Sequence, residues 1–257
     1  MKSDKLHRSL PFNGVSLIGA GPGDPELITV KGMRALRQAD AILYDALTHT
    51  DLLEYAPEEA LRIFVGKRSG KAGLQQSDIN QLLINLSGRY RHVVRLKGGD
   101  PYIFGRGYEE FLFLRSRGVN VQYIPGLSSA TALAGLADIP LTHREVSRSF
   151  HVITASAEAG NFTSELREFV RLPGTRVILM GLRYLYQIVQ LCKKSGQEDL
   201  PVAIISQGSL DTQQLLISTV REICSLPERH SIIPPAIIIL GDTVNLYAGT
   251  QLAKHHG

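Results

Sequence analysis

The chain has 257 residues, 44% hydrophobic and 20% charged, enough apolar material for one large core or two of ordinary size. Its formal charge of +4 fits an anionic partner, yet no basic block is long enough for a nucleic-acid arm, and no apolar run approaches the roughly 18 residues that cross a bilayer. Cys192 and Cys224 form no C-x-x-C pair and read as two reduced thiols of a cytoplasmic protein without metal.

Residues 1–13 lack an apolar core segment and read as a loose leader, not a secretory signal. Val15–Ile18 predicts a strand, Lys31–Gln38 a helix, Ala41–Tyr44 a strand ending at Asp45, Leu52–Tyr55 a short helix and Leu61–Val65 a third strand closed by Gly66. A helix over Ser77–Gly88, with Ser77 as cap and Asp78 in its first turn, leads to the strand His92–Leu96. A helix over Gly107–Arg117 and a strand at Val121–Ile124 follow, the latter stopped by Pro125-Gly126.

Small residues dominate Ser128–Leu136, a pattern suited to a helix packed closely on a neighbour or ligand. The alternation then resumes: strands at Phe150–Thr154, Arg176–Met180, Pro201–Ser206, Gln214–Ser218 and Ala236–Gly241, with helices over Phe162–Val170, Tyr184–Ser195 and Val220–Cys224. The expected fold class is α/β: an N-terminal α/β domain over 14–124, a connector over 125–149, a second α/β domain over 150–249 and a tail over 250–257. The βαβα alternation up to Ile124 argues for a mostly parallel sheet with helices on both faces.

Three constellations carry chemistry. The first is Gly19-Ala-Gly-Pro-Gly-Asp24 after the first strand. Two glycines match a dinucleotide turn, and Asp45 stands where a ribose-binding acid would. Pro22 removes one N–H from a phosphate cradle, and Asp24 occupies the third small position, where a pyrophosphate would dock. The turn thus permits a neutral or cationic ligand; a plain turn with Asp24 as a helix cap is the competing interpretation.

The second constellation, residues 94–107, runs Val-Arg-Leu-Lys-Gly-Gly-Asp-Pro-Tyr-Ile-Phe-Gly-Arg-Gly. Its glycines let a ligand lie against backbone, and Asp100 can accept from a hydroxyl or amino group or simply start a turn. The third pairs Asp45 with Lys67, each closing a strand at one edge, which suits proton transfer or an ordinary ion pair. The connector adds Thr142-His143-Arg144, where His143 reads as structural.

These stretches, with PGLSSATALAGLADIPLTHR, ILMGL and PPAIIILG, resemble the tetrapyrrole (class III) methyltransferases over residues 15–241. The resemblance implies two α/β domains with a cleft between them. It also implies two methyl transfers from S-adenosyl-L-methionine to C2 and C7 of uroporphyrinogen III, giving precorrin-2 for the sirohaem and cobalamin branch. By motif position, Pro22, Gly98, Gly99, Asp100, Ile103, Ser128, Ser129, Met180, Gly208 and Ala236 would contact the donor. Asp45 would be the general base and Lys67 a proton donor, and Arg95, Arg106 and Arg144 would meet substrate carboxylates. The partners implied are a small-molecule tetrapyrrole and a second copy of the chain, with neither membrane nor nucleic acid.

The sequence departs from the family pattern at Ala46, where arginine is usual, at Tyr108 in GRGYEE, at ITAS over 153–156 and at Leu179. These leave open a related tetrapyrrole substrate. A nicotinamide-dependent oxidoreductase is the alternative of another class, disfavoured by Asp24, and a non-catalytic module is disfavoured by Asp45 and Lys67.

Overall fold

The computed structural model describes residues 12–66, 74–156 and 162–247. The chain divides into two compact units, Met1–Ser128 and Ser129–Gly257.

The first unit holds strands β1 (Gly14–Gly19), β2 (Ala41–Tyr44), β3 (Leu61–Phe64), β4 (His92–Lys97) and β5 (Val121–Ile124) in the spatial order β3-β2-β4-β1-β5. Every neighbouring pair is parallel, so all strand carboxyl ends share one edge, where open α/β sheets bind ligands. The helices are α1 (Val30–Leu36), α2 (Gln76–Ser87) and α3 (Gly107–Arg115). One face of the sheet buries Ile18, Ile42, Val94 and Leu96 against Leu36 and Leu52. The other buries Val15, Leu17, Leu43 and Val93 against Leu83 of α2 and Leu114 of α3. Burial on both faces is why these strands are nearly continuous apolar runs.

Local chemistry sets the helix starts. Gly32 N donates to Thr29 Oγ1 at 3.1 Å and caps α1. Helix α2 begins one residue before the expected start, and the Asp78 carboxylate reaches back to Gln75 N at 3.2 Å; Ser77 lies inside the helix and is not the cap. Thr50–Tyr55 is a 3-10 turn.

The second unit holds β6 (Phe150–Thr154), β7 (Thr175–Leu179), β8 (Pro201–Ser206), β9 (Gln214–Thr219) and β10 (Ala236–Leu240), in the order β6-β7-β10-β8-β9. Only β6 and β7 pair in parallel; β10 runs antiparallel to β7 and β8, and β8 to β9. The mostly parallel sheet expected of the first half is found in the first unit, whereas this second sheet is mixed. Residues 207–213 are too few for a crossover helix, so β9 must return antiparallel.

Helices α4 (Ser129–Leu136), α5 (Leu166–Phe169) and α6 (Leu185–Lys194) cover this second sheet. Ala130, Leu133 and Ala134 of α4 pack on Val177, Ile205, Ile237 and Ile239. Leu166, Ile188 and Val189 pack on Ile178, Ile204 and Ile238. The helix expected over 162–170 contracts to α5, and that expected over 220–224 is a turn with Val220 and Ile223 buried.

Candidate active site

The two glycine loops of the first unit meet. Gly21 N donates to Gly99 O at 3.2 Å and Gly99 N to Gly21 O at 2.7 Å, closing a two-residue bridge between the loops after β1 and β4. Both glycines have left-handed φ, +85° and +66°, which explains the residue type. Gly126 completes the assembly: a Cβ there would lie 2.3 Å from Gly99 O and 2.7 Å from Gly19 Cα. In the sequence Gly126 stands out as a strand stop and as part of the PGLSS stretch, without a sign of this contact. A Cβ on Gly99 would meet nothing within 4 Å, so that glycine faces open space.

Asp24 is a cap, as the competing interpretation held. Its Oδ1 accepts from Glu26 N at 2.8 Å at the start of the 3-10 turn Pro25–Leu27, and α1 begins only at Val30. The loop therefore does not run straight into a helix N-terminus, which is the geometry a dinucleotide pyrophosphate requires. Pro22 is half-buried in this loop and has no N–H to offer.

Asp100 is buried, and the protein itself engages its carboxylate. Oδ1 accepts from Tyr102 N at 2.8 Å; Oδ2 accepts from the Tyr123 hydroxyl at 2.6 Å and Gly126 N at 3.1 Å. Burial and the adjoining carboxylate push the Tyr123 phenol up, so it stays a donor. Asp100 thus locks the glycine loop; Gly99 faces open space, Ile103 is exposed, and Leu47 lies over Gly98, where a Cβ would come within 2.5 Å of it.

Asp45 ends the row Ala41–Leu43–Asp45 at the carboxyl edge of β2, its side chain 25% exposed. Its Oδ1 accepts from Leu47 N at 3.2 Å and Thr48 Oγ1 at 3.4 Å; its Oδ2 accepts from Arg95 Nη2 at 3.4 Å. Arg95 is 3% exposed. It also donates to Glu110 Oε1 and to the carbonyls of Leu43 and Leu96. The expectation that Arg95 meets substrate carboxylates gives way to a buried, internally committed guanidinium.

Sequence reasoning missed Glu110, which is fully buried on α3. Its Oε1 gathers Gln76 Nε2 at 2.9 Å, Lys97 Nζ at 3.1 Å and Arg95 Nε at 3.4 Å. Its Oε2 has no hydrogen-bond partner among the described residues. Burial, and secondarily Arg95, push the Lys97 ammonium down. The available signal was helical spacing: Gly107, Glu110 and Leu114 form the inward stripe of α3.

Phe104 and Arg106 are left-handed at φ 52° and 58°, strain of the kind that clusters at functional loops. Arg106 caps α3 and pairs with Glu109 at 2.6 Å, both exposed, and that contact draws the Glu109 carboxyl down. Tyr108 stacks on Phe111, centroids 6.0 Å apart, and meets Tyr102 edge-on at 5.5 Å, extending an aromatic patch. Arg144 is exposed. His143 closes a turn with Ser147 and accepts from Glu145 N, a structural role.

In the second unit, Met180, Gly208 and Ala236 stand at one end of the sheet, because Ala236 pairs with Ser206 and Ile237 with Leu179. Met180 and Gln207 are left-handed, φ 53° and 48°, and Met180 is 50% exposed. Gly208 is glycine because Leu133 of α4 rests on it; a Cβ would come within 2.6 Å of both leucine methyls. Ser129 opens α4, with Ser128 just before it. Lys67 lies outside the described residues. In the first unit, a concavity of about 340 Å³ between Asp40, Glu59, Arg89 and Arg91 lies at the amino ends of the strands, opposite the edge that carries Asp45. Among the described residues no cluster of metal ligands occurs and no helix is long and apolar enough to cross a membrane.

Uroporphyrinogen-III C-methyltransferase of Methanocaldococcus jannaschii is 42% identical over 90% of this chain and 97% of that protein. Siroheme synthase of Psychrobacter cryohalolentis is 42% identical over 91% of this chain and 45% of that protein. The chain spans about half the length of the siroheme synthases it matches. Uroporphyrin-III C-methyl transferase of Thermus thermophilus, crystallised with S-adenyl homocysteine, superposes with a TM-score of 0.79 at 36% identity, covering 91% of this chain and all of that one. The family model of tetrapyrrole (corrin/porphyrin) methylases matches residues 14–224. The family model covers most of the chain, and a relative matched over nearly its whole length is 42% identical: the chain belongs to the tetrapyrrole methylase family.

Proposed function

We propose that this chain transfers methyl groups from S-adenosyl-L-methionine to C2 and C7 of uroporphyrinogen III, giving precorrin-2. The observation that carries the reading is the Gly21–Gly99 bridge at the same sheet edge as Asp45. It builds a glycine cradle without phosphate-binding geometry at the same edge as a partly exposed carboxylate. A sulfonium donor has no phosphate and bears a positive charge, so Pro22 and the capping Asp24 are compatible with it.

When bound, the donor supplies an electrophilic methyl group for in-line displacement by a ring carbon. The residues of the first unit then have distinct tasks. Pro22, Gly98, Gly99 and Ile103 give the donor a surface without cationic side chains, while Asp100 holds the loop in shape. Holding the reacting atoms about 3 Å apart removes most of the entropic barrier. Asp45 takes the proton whose loss makes the pyrrole carbon the better nucleophile. Arg106 and Arg144, both exposed, are assigned to substrate carboxylates, and Lys67 to proton return. Met180, Gly208 and Ala236, with Ser128 and Ser129, are assigned to the donor by their place in the family pattern. The cytoplasm as the compartment and a homodimer as the assembly complete the proposal.

Calorimetry with S-adenosyl-L-homocysteine and with NADH tests the donor class. Binding of the first and not the second is expected. Binding of NADH alone would contradict the proposal and support the oxidoreductase reading.

A further inference from the structure

A buried ionic cluster adjoins Asp45. Replacing a buried ion set by apolar groups is often neutral or stabilising, so the cluster is weak evidence of a purely stabilising role. Two cations, Arg95 and Lys97, lie two residues apart in β4 and alternate with two carboxylates along one chain of contacts, Asp45–Arg95–Glu110–Lys97. Arg95 forms an ion pair with each carboxylate. Its Nε faces Glu110 and its Nη2 faces Asp45, each at 3.4 Å, longer than the 2.7–2.9 Å of a strong charge-assisted bond. The guanidinium is therefore shared between two carboxylates, with Nη1 on the carbonyls of Leu43 and Leu96, and neither carboxylate holds it fully. Lys97 occupies the same Glu110 oxygen at 3.1 Å and so limits how far Glu110 draws Arg95 away.

We infer that Glu110 is a positioning residue for Asp45: through Arg95, and in competition with Lys97, it sets the orientation and basicity of the carboxylate that takes the substrate proton. This rests on the proposed role of Asp45 as base.

The charged groups around Asp45 come from every packed element. Arg95 and Lys97 project from β4 and Glu110 from α3, with Gln76 of α2 as a neutral donor to Glu110. On the neighbouring β3, Arg62 spends its guanidinium on the carbonyls of Leu53, Pro57, Glu58 and Ala60. On the turn after β2, Thr48 donates to Asp45, and His49 pairs with Asp51. Lys67 follows β3, outside the described residues.

The geometry gives two opposite expectations. Glu110→Gln keeps the shape, deletes the distant anion and returns Arg95 to Asp45, so the carboxylate is held more firmly as an anion. The acidic limb of the pH–rate profile then moves to lower pH by about one unit, and kcat falls about tenfold as the base weakens. Lys97→Met keeps the aliphatic stem, deletes a cation near Asp45 and frees Glu110 to draw Arg95 away. The acidic limb then moves to higher pH.

The experiment is the pH dependence of single-turnover methylation of uroporphyrinogen III by the full chain, with donor affinity and urea midpoint measured in parallel. Opposite displacements at unchanged donor affinity are the expected result. Unmoved limbs, or limbs displaced in the same direction, would overturn the inference. Should Glu110→Gln fail to fold, the direction in Lys97→Met alone decides. An Asp45→Ala arm separates the two layers: normal turnover there removes the base assignment itself, whereas lost turnover with unmoved limbs removes only the role of Glu110.

Discussion

Gly126→Ala is a severe test of the glycine cradle, because its added carbon has nowhere to go. It would lie 2.3 Å from Gly99 O and within 2.8 Å of two Gly19 backbone atoms, all main chain rather than flexible side chain. Forced overpacking of this kind costs about 1–3 kcal/mol. Relief requires the loops to part, which gives up the paired Gly21–Gly99 hydrogen bonds at about 1 kcal/mol each. The expected loss is about 3 kcal/mol, with donor affinity reduced at least tenfold. Gly99→Ala is the control. Its carbon meets nothing within 4 Å, so only the left-handed backbone at φ +66° opposes it, at about 1–2 kcal/mol. Gly99→Leu adds bulk to that open space and is expected to abolish donor binding beyond this backbone cost. Urea midpoints at constant m give the stabilities, and calorimetry with S-adenosyl-L-homocysteine gives the affinities. If Gly126→Ala proved no more damaging than Gly99→Ala, the cradle argument would fail.

Asp45→Ala is expected to retain donor affinity and lose about 100-fold or more in turnover; wild-type turnover would remove Asp45 as the base. In the second unit, Gly208→Ala drives a carbon to 2.6 Å from the Leu133 methyls and should cost about 1–3 kcal/mol. Because the obstacle is a side chain, Leu133→Val in the same chain should restore part of that loss, and additive losses would disprove the contact. Burial lowers the folded-state value of His92 below its ordinary 6.5. Between that lowered value and 6.5 the unfolded chain binds more protons, so stability present at pH 7 drains away as pH falls. His92→Gln, still able to reach Ser16, should show a shallower fall in urea midpoint between about pH 7 and about pH 5.5; equal slopes would count against it.

The first unit was legible because each parallel strand is a short apolar run closed by Gly, Pro or Asp. The strands Ala41–Tyr44 and Val121–Ile124 appear at the expected bounds. The second sheet was harder, because a strand such as β10, buried on both faces, reads the same in either direction. Ile237, Ile238 and Ile239 carry no signal of antiparallel pairing; that lay in the short 207–213 connection. In the candidate site, glycines and proline were visible as motif letters, but their mutual contacts were not. Pairing of Gly21 with Gly99, and packing of Gly126 on both loops, depend on strand order. Arg95 was misread because a basic residue in a loop-proximal motif suggests an anion in solution. Its alternation with Val94 and Leu96 in a central strand instead puts it inside, against Glu110.

The most direct measurement is the mass of the product formed from uroporphyrinogen III and S-adenosyl-L-methionine. The account predicts two added methyl groups, with the first appearing transiently as a singly methylated species. An unmodified tetrapyrrole, from folded protein that binds the donor, would contradict it.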